Sequence, residues 1–194
     1  MTTLPTVFIT GASSGIGATY AERFARRGHD LVLVARNKSR LDALAMRLRE
    51  QHQIAVEVLQ ADLTNSAELP ALETRLRHDA RIGILINNAG MPQSGHFLEQ
   101  SPEAIESQIA LNITALTRLA AAIAPRLAQS GTGSIVNIGS VVGFSPEFGI
   151  SLYGATKAYV LFLSQGLAHE LSPQGVYVQA VLPAATRTEI WAHA

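Results

Sequence analysis

Cysteine is absent from the 194 residues, which removes disulfides, thiol nucleophiles and cysteine-based zinc sites. Net charge is absent too. Fifteen basic side chains balance fifteen acidic ones, so no global field gathers nucleic acid or an anionic bilayer. Charged residues make up only 15% of the chain against 47% hydrophobic, which excludes a disordered chain and calls for a deep interior. Lysine is scarce: Lys38 and Lys157 stand alone among arginines. No unbroken apolar run reaches membrane-spanning length. The opening Met1-Thr2-Thr3-Leu4-Pro5 lacks the charged region and apolar core of a signal peptide. The expectation is a cytoplasmic protein with no nucleic-acid or membrane partner, folded as a single domain over residues 1–194.

What is present is an alternation of short apolar runs with amphipathic segments. Strands are predicted at 7–10, 31–35, 54–59, 82–86, 134–138 and 176–182. Helices are predicted at 15–27, 38–51, 65–78, 101–127 and 152–171. Leu41, Leu44, Ala45 and Leu48 recur at helical spacing. Ser101-Pro102-Glu103 combines a capping hydroxyl, a first-turn proline and an acid at the positive helix end. Near-continuous apolar strands alternating with helices imply a parallel sheet covered on both faces. No linker, low-complexity segment or short repeat divides the chain.

Thr10-Gly11-Ala12-Ser13-Ser14-Gly15-Ile16-Gly17 joins the first strand to the first helix. Its glycines allow a tight turn and close approach to a pyrophosphate, and the helix start offers free N–H groups. The spacing is G-x-x-x-G-x-G, and a plain tight turn is the alternative. Its place after the first strand favours dinucleotide binding. After the second strand, Val34-Ala35-Arg36-Asn37-Lys38 has no acid to bond ribose hydroxyls. Arg36 suits a 2′-phosphate, so NADP(H) is preferred, with NAD(H) possible; a solvated basic turn is the alternative.

Tyr153 and Lys157 stand at i and i+4, on one face of a helix. A phenol with pKa near 10 exchanges protons poorly at neutral pH, and a neighbouring ammonium lowers that value. The pair fits general acid/base chemistry, although such pairs also occur on ordinary helices. Ser140 follows the fifth strand in Asn137-Ile138-Gly139-Ser140. There it can orient a carbonyl, or act as a turn serine or helix cap.

Together these residues resemble the short-chain dehydrogenase/reductases. The matches run in order along nearly the whole chain: the glycine loop, Asp62-Leu63-Thr64, Asn87-Asn88-Ala89-Gly90, Asn112, Ser140 and Tyr153-x-x-x-Lys157. The resemblance implies an NAD(P)-dependent oxidoreductase. It moves a hydride between nicotinamide and a ketone, aldehyde or secondary alcohol. Tyr153 is the general acid/base; Lys157 holds the ribose and lowers the phenol pKa; Ser140 bonds the carbonyl; Asn112 anchors a water in the proton path. Gly11, Ser13, Ser14, Gly15, Ile16, Gly17, Arg36, Asp62, Leu63, Asn88, Ala89 and Gly90 contact the cofactor, with Asp62 at the adenine. Pro183 and Thr188 extend that set after the sixth strand, with Thr186 secondary; Ala184 stands where the family usually has glycine. No metal is required.

The expected fold is a doubly wound α/β sheet of Rossmann order, in three α/β/α layers. It lacks the family's usual last strand and substrate-covering segment, so the natural polypeptide is expected to be longer. Met91, Pro92, His96, Phe97, Val141, Phe144, Phe148, Ile150 and Trp191 are candidate walls for a small apolar carbonyl or alcohol substrate. Helices 101–127 and 152–171 are apolar on more than one face, which points to a homodimer or homotetramer. A non-catalytic NADP(H)-binding regulator is the alternative function.

Overall fold

The computed structural model describes residues 4–92 and 96–184. Six parallel strands make one sheet: β1 (Thr6–Thr10), β2 (Leu31–Ala35), β3 (Val56–Gln60), β4 (Ile82–Asn87), β5 (Gly133–Ile138) and β6 (Val176–Val181). Their spatial order is β3-β2-β1-β4-β5-β6. The chain winds outward one way through β2 and β3, then restarts beside β1 and winds the other way. That reversal opens a crevice at the carboxyl ends of β1 and β4.

Helices α1 (Gly15–Ala25) and α2 (Lys38–His52) cover one face, and α3 (Leu69–His78), α5 (Leu116–Ser130) and α6 (Ser151–Leu171) the other; α4 (Pro102–Ile109) packs against α6. Alternation along β1 sorts the side chains between the layers: Val7 and Ile9 pack with Leu41, Leu44 and Leu48, while Phe8 packs with Leu76, Leu119 and Ile123. All of these side chains are buried; full burial of each aliphatic or phenyl group stabilises by roughly 1.5–3 kcal/mol. The double burial explains why the strands read as unbroken apolar runs.

Most predicted boundaries fall within one or two residues of the observed ones. Helix α3 is the larger miss, starting at Leu69 instead of 65. Side chains hold the preceding residues in turns: Asn65 Oδ1 accepts from Ala67 N, and Glu68 accepts from both Asp62 N and Asn65 Nδ2. The long helix predicted at 101–127 runs from Pro102 to Ser130 but contains a π-helical turn at Ala110–Ala115. Gly131, at φ +69°, ends it in the left-handed conformation. This 29-residue helix is long and apolar enough to cross a membrane, although it contains no unbroken apolar run of that length. Its composition is spent on packing: 56% of its most apolar stretch is buried, including Leu116, Leu119, Ile123 and Leu127.

Candidate active site

The carboxyl ends of all six strands surround one cleft of about 750 Å³. Gly11, Ser13, Ser14, Gly15 and Ile16 follow β1; Ala35, Arg36, Asn37 and Arg40 follow β2; Ala61, Asp62 and Leu63 follow β3. Asn88 to Pro92 follow β4, Ile138 to Ser140 lie at the end of β5, and Pro183 and Ala184 follow β6. Tyr153 and Lys157 reach it from α6, and Leu111 from the π-turn.

The glycine loop is clamped from below. Asn88 Nδ2 donates to the carbonyls of Thr10 and Gly11, each at 3.0 Å, and Thr10 Oγ1 accepts from the N–H groups of Asn88 and Ala89, also at 3.0 Å. A methyl group on Gly17 would sit 2.3 Å from the Gly11 carbonyl oxygen, so glycine there lets α1 pack directly under the loop. Gly17 is buried and does not line the cleft. Ser14 caps α1 without a side-chain hydrogen bond, leaving first-turn N–H groups to face the loop. Positive potential and free donors at this end suit a diphosphate.

At the opposite rim, Asp62 accepts from the N–H and hydroxyl of Thr64 at 2.9 and 2.7 Å. Burial raises its carboxyl pKa, but these bonds and nearby Arg36 outweigh it and hold the group below its usual range. Arg40, in the first turn of α2, also lines the cleft. The sequence carried no signal for it, since Arg36 lies before the Asn37 cap and shares no helical face with Arg40.

Ser140, Tyr153 and Lys157 meet at the other end, each less than a tenth exposed. Burial pushes the Tyr153 phenol above its usual pKa, and a hydrogen bond with Ser140 opposes it. Lys157 Nζ donates to Ile138 O at 2.8 Å and lies 5.5 Å from the Tyr153 ring centre. Desolvation pushes this ammonium down to about 8. Burial therefore perturbs both groups of the pair, in opposite directions, a feature characteristic of functional sites. Ser140 Oγ accepts from Val142 N at 3.3 Å and donates to Pro183 O at 3.5 Å, which ties the β5 and β6 ends together.

Asn112 stands in the π-turn behind this group and does not line the cleft. Its Oδ1 accepts from Met91 N at 2.9 Å; its Nδ2 donates to Met91 O at 3.0 Å and to Thr156 Oγ1 at 3.1 Å. Both amide protons are thus spent on bracing, and the direct neighbours of Asn112 are backbone and threonine. Of the candidate substrate walls, Met91 and Pro92 line the cleft. Val141, Phe144 and Phe148 are exposed on two short 3₁₀ turns between Ser140 and α6. Phe97 is exposed on another such turn, and neither His96 nor Ile150 lines the cleft. Thr186, Thr188 and Trp191 lie outside the described residues. Among the described residues, no three His, Asp or Glu side chains converge on a possible metal position.

Fold and site together define a doubly wound dinucleotide-binding α/β protein with a Ser–Tyr–Lys cluster in its cleft. The short-chain dehydrogenase family model matches residues 5–194, and the chain belongs to that family. A short-chain dehydrogenase from Sphingobium yanoikuyae, solved in complex with NADPH, superimposes with a TM-score of 0.97 at 78% identity, covering 97% of this chain and 74% of that one. The bulky-bulky ketone specific alcohol dehydrogenase from Comamonas testosteroni gives 0.95 at 68% identity, over 96% of this chain and 74% of that one. The very-long-chain 3-oxoacyl-CoA reductase-B of Danio rerio is 33% identical over 94% of this chain, which spans 60% of that protein. An uncharacterized oxidoreductase of Staphylococcus saprophyticus is 37% identical over 94% of this chain and 78% of its own length.

Proposed function

We propose that this chain is an NADP(H)-preferring reductase of ketones and aldehydes, reversible towards secondary alcohols, with Tyr153 as general acid/base. The observation that carries the reading is the convergence of buried Ser140, Tyr153 and Lys157 in the same cleft as the uncapped α1 terminus. A non-catalytic binder has no use for a buried phenol hydrogen-bonded to a serine. Gly11, Ser13, Ser14, Gly15 and Ile16 hold the diphosphate, Arg36 and Arg40 the 2′-phosphate, and Asp62 and Leu63 border the adenine. Asn88, Ala89, Gly90 and Pro183 border the remainder, with Lys157 on the ribose hydroxyls. When bound, NADPH supplies the hydride.

In reduction, Ser140 and Tyr153 donate hydrogen bonds to the substrate oxygen, and the Tyr153 proton passes to it as charge develops. Lys157 favours the phenolate left behind. Met91 and Pro92 in the cleft, with the exposed Val141, Phe144 and Phe148 on the turns that follow Ser140, favour an apolar, uncharged carbonyl compound. The NADPH complex of the Sphingobium protein and the ketone specificity named for the Comamonas protein support both choices. Exposed Ile109, Tyr159 and Phe162 on α4 and α6 support a homodimer or homotetramer.

The test is a fluorescence titration with NADPH and NADH, followed by turnover of aryl and alkyl ketones. Tight NADPH binding and ketone reduction are expected. Tyr153→Phe should retain NADPH binding and lose about 10²-fold or more in turnover. Near-normal turnover of that variant would refute the mechanism.

A further inference from the structure

A chain of buried hydrogen bonds crosses from the cleft floor to the helix that carries Tyr153. Met91 lines the cleft after β4. Its N–H and C=O are both held by the Asn112 amide, at 2.9 and 3.0 Å. The second amide proton of Asn112 goes to Thr156 Oγ1 at 3.1 Å, and the Thr156 hydroxyl donates to Tyr153 O at 2.8 Å. Asn112 and Thr156 are each 1% exposed.

The donors leave no freedom in this arrangement. A primary amide has two protons and a hydroxyl one, and each has a single assigned acceptor. Reversing the hydroxyl would leave the Asn112 proton facing another proton and the Tyr153 carbonyl without this bond. The chain is therefore directional, and it couples three elements: the β4 loop, the π-turn and α6. The π-turn contributes by placing Asn112 where it bridges Met91 to Thr156, and π-turns of this kind frequently mark functional sites. Gly90 completes the junction: a methyl group on it would lie 3.3 Å from Asn112 Oδ1 and 3.4 Å from Lys157 Nζ. The cleft floor, the brace and the catalytic lysine are thus in near contact.

Resting on the function proposed above, we infer that Thr156 is a positioning residue, which fixes Tyr153 and Lys157 relative to the cleft floor through Asn112. Thr156 does not line the cleft, so it acts through its neighbours. Valine keeps the β-branched shape of its side chain. What valine removes is the hydroxyl, which takes from the Tyr153 carbonyl the bond it receives beyond the α6 ladder and leaves an Asn112 proton buried without an acceptor. A small displacement of the reacting groups is costly because proton transfer needs hydrogen-bond geometry.

The experiment compares Thr156→Val and Thr156→Ser with the wild-type chain. It reads NADPH affinity by fluorescence, thermal unfolding, kcat and KM for a ketone the wild type reduces, and the pH–rate profile of alcohol oxidation. Thr156→Val should lose about tenfold or more in kcat, with a smaller loss in NADPH affinity. Its oxidation profile should move to higher pH, as Tyr153 loses its fixed relation to Lys157. Thr156→Ser should restore kcat and the profile. A Thr156→Val enzyme with wild-type kcat and profile would overturn the inference, as would an equal loss in Thr156→Ser. If Thr156→Val does not fold, Thr156→Ala carries the same comparison; failure of both beside a fully active serine variant would make the role purely structural and overturn positioning. Wild-type chain that binds NADPH but turns over no carbonyl would instead defeat the proposed function.

Discussion

Lys157→Met separates what the buried lysine does for function from what it does to stability. The ammonium is 5% exposed and is pushed from its usual 10.5 to about 8 by burial alone. At about 1.4 kcal/mol per pH unit, that depression corresponds to roughly 3 kcal/mol of destabilisation at pH 7. The sign follows from proton counting. Between about 8 and 10.5 the unfolded chain binds more protons than the folded one, so stability rises with pH across that window. The penalty is fully present below 8 and gone above 10.5. Methionine has similar length and helix propensity and no charge. It also loses the bond to Ile138 O, worth about 1.5–3 kcal/mol for a charged donor. The balance is a gain of about 1 kcal/mol at pH 7, or roughly 2–4 °C in Tm for a chain of this size, with turnover lost. Thermal unfolding of both cofactor-free proteins from pH 7 to 10.5 tests this. The advantage of the variant must shrink as pH rises. A constant difference across the range would show that burial does not destabilise the charged lysine.

Two other substitutions test the cofactor end. Gly17→Ala places a methyl group 2.3 Å from the Gly11 carbonyl and 2.5 Å from Asn88 Nδ2. It should destabilise by about 3 kcal/mol, lowering Tm by roughly 6–12 °C and weakening both NADPH and NADH; an unchanged Tm would refute the packing argument. Arg36→Asp should weaken NADPH by about 10- to 100-fold, the value of a charge-assisted bond, while sparing NADH in the same fluorescence titration. Equal losses for both would move 2′-phosphate recognition away from Arg36, with Arg40 the first residue to test.

The fold was legible because its signals are local and repetitive. Strands buried on both faces must be apolar throughout, and Val7 to Ile9, Leu31 to Ala35 and Ile82 to Ile86 carry that pattern openly. The glycine loop was legible for the same reason, since close packing at Gly11 and Gly17 admits almost nothing else. The failures lie where side chains override the local pattern. Residues 65–68 stand just before an amphipathic run but are held in turns by Asn65 and Glu68. The π-turn gives no sign in the periodicity of 101–127, because one displaced residue hardly disturbs a helix that is apolar on several sides.

Site residues divide along the same line. Tyr153, Lys157 and Ser140 can be read from spacing because neighbours in sequence share a surface. Asn112 enters only through the family resemblance, Met91 only as a candidate wall and Thr156 not at all, since their bonds join residues 21 and 44 positions apart. Nothing in the local pattern of 101–127 singles out Asn112, and Thr156 is a spacer inside Tyr153-x-x-x-Lys157. In the fold, both are buried polar groups without freedom to choose partners. Buried polarity is costly unless fully satisfied, so an apolar pair of matching shape would be the simpler core. The site instead keeps a fully bonded amide and hydroxyl between the cleft floor and α6, next to a lysine that is itself destabilising. Local departures from good packing tend to collect at functional sites. Here the departures at Asn112, Thr156 and Lys157 adjoin one another, which is why the Thr156 hydroxyl is expected to set the rate more than the stability.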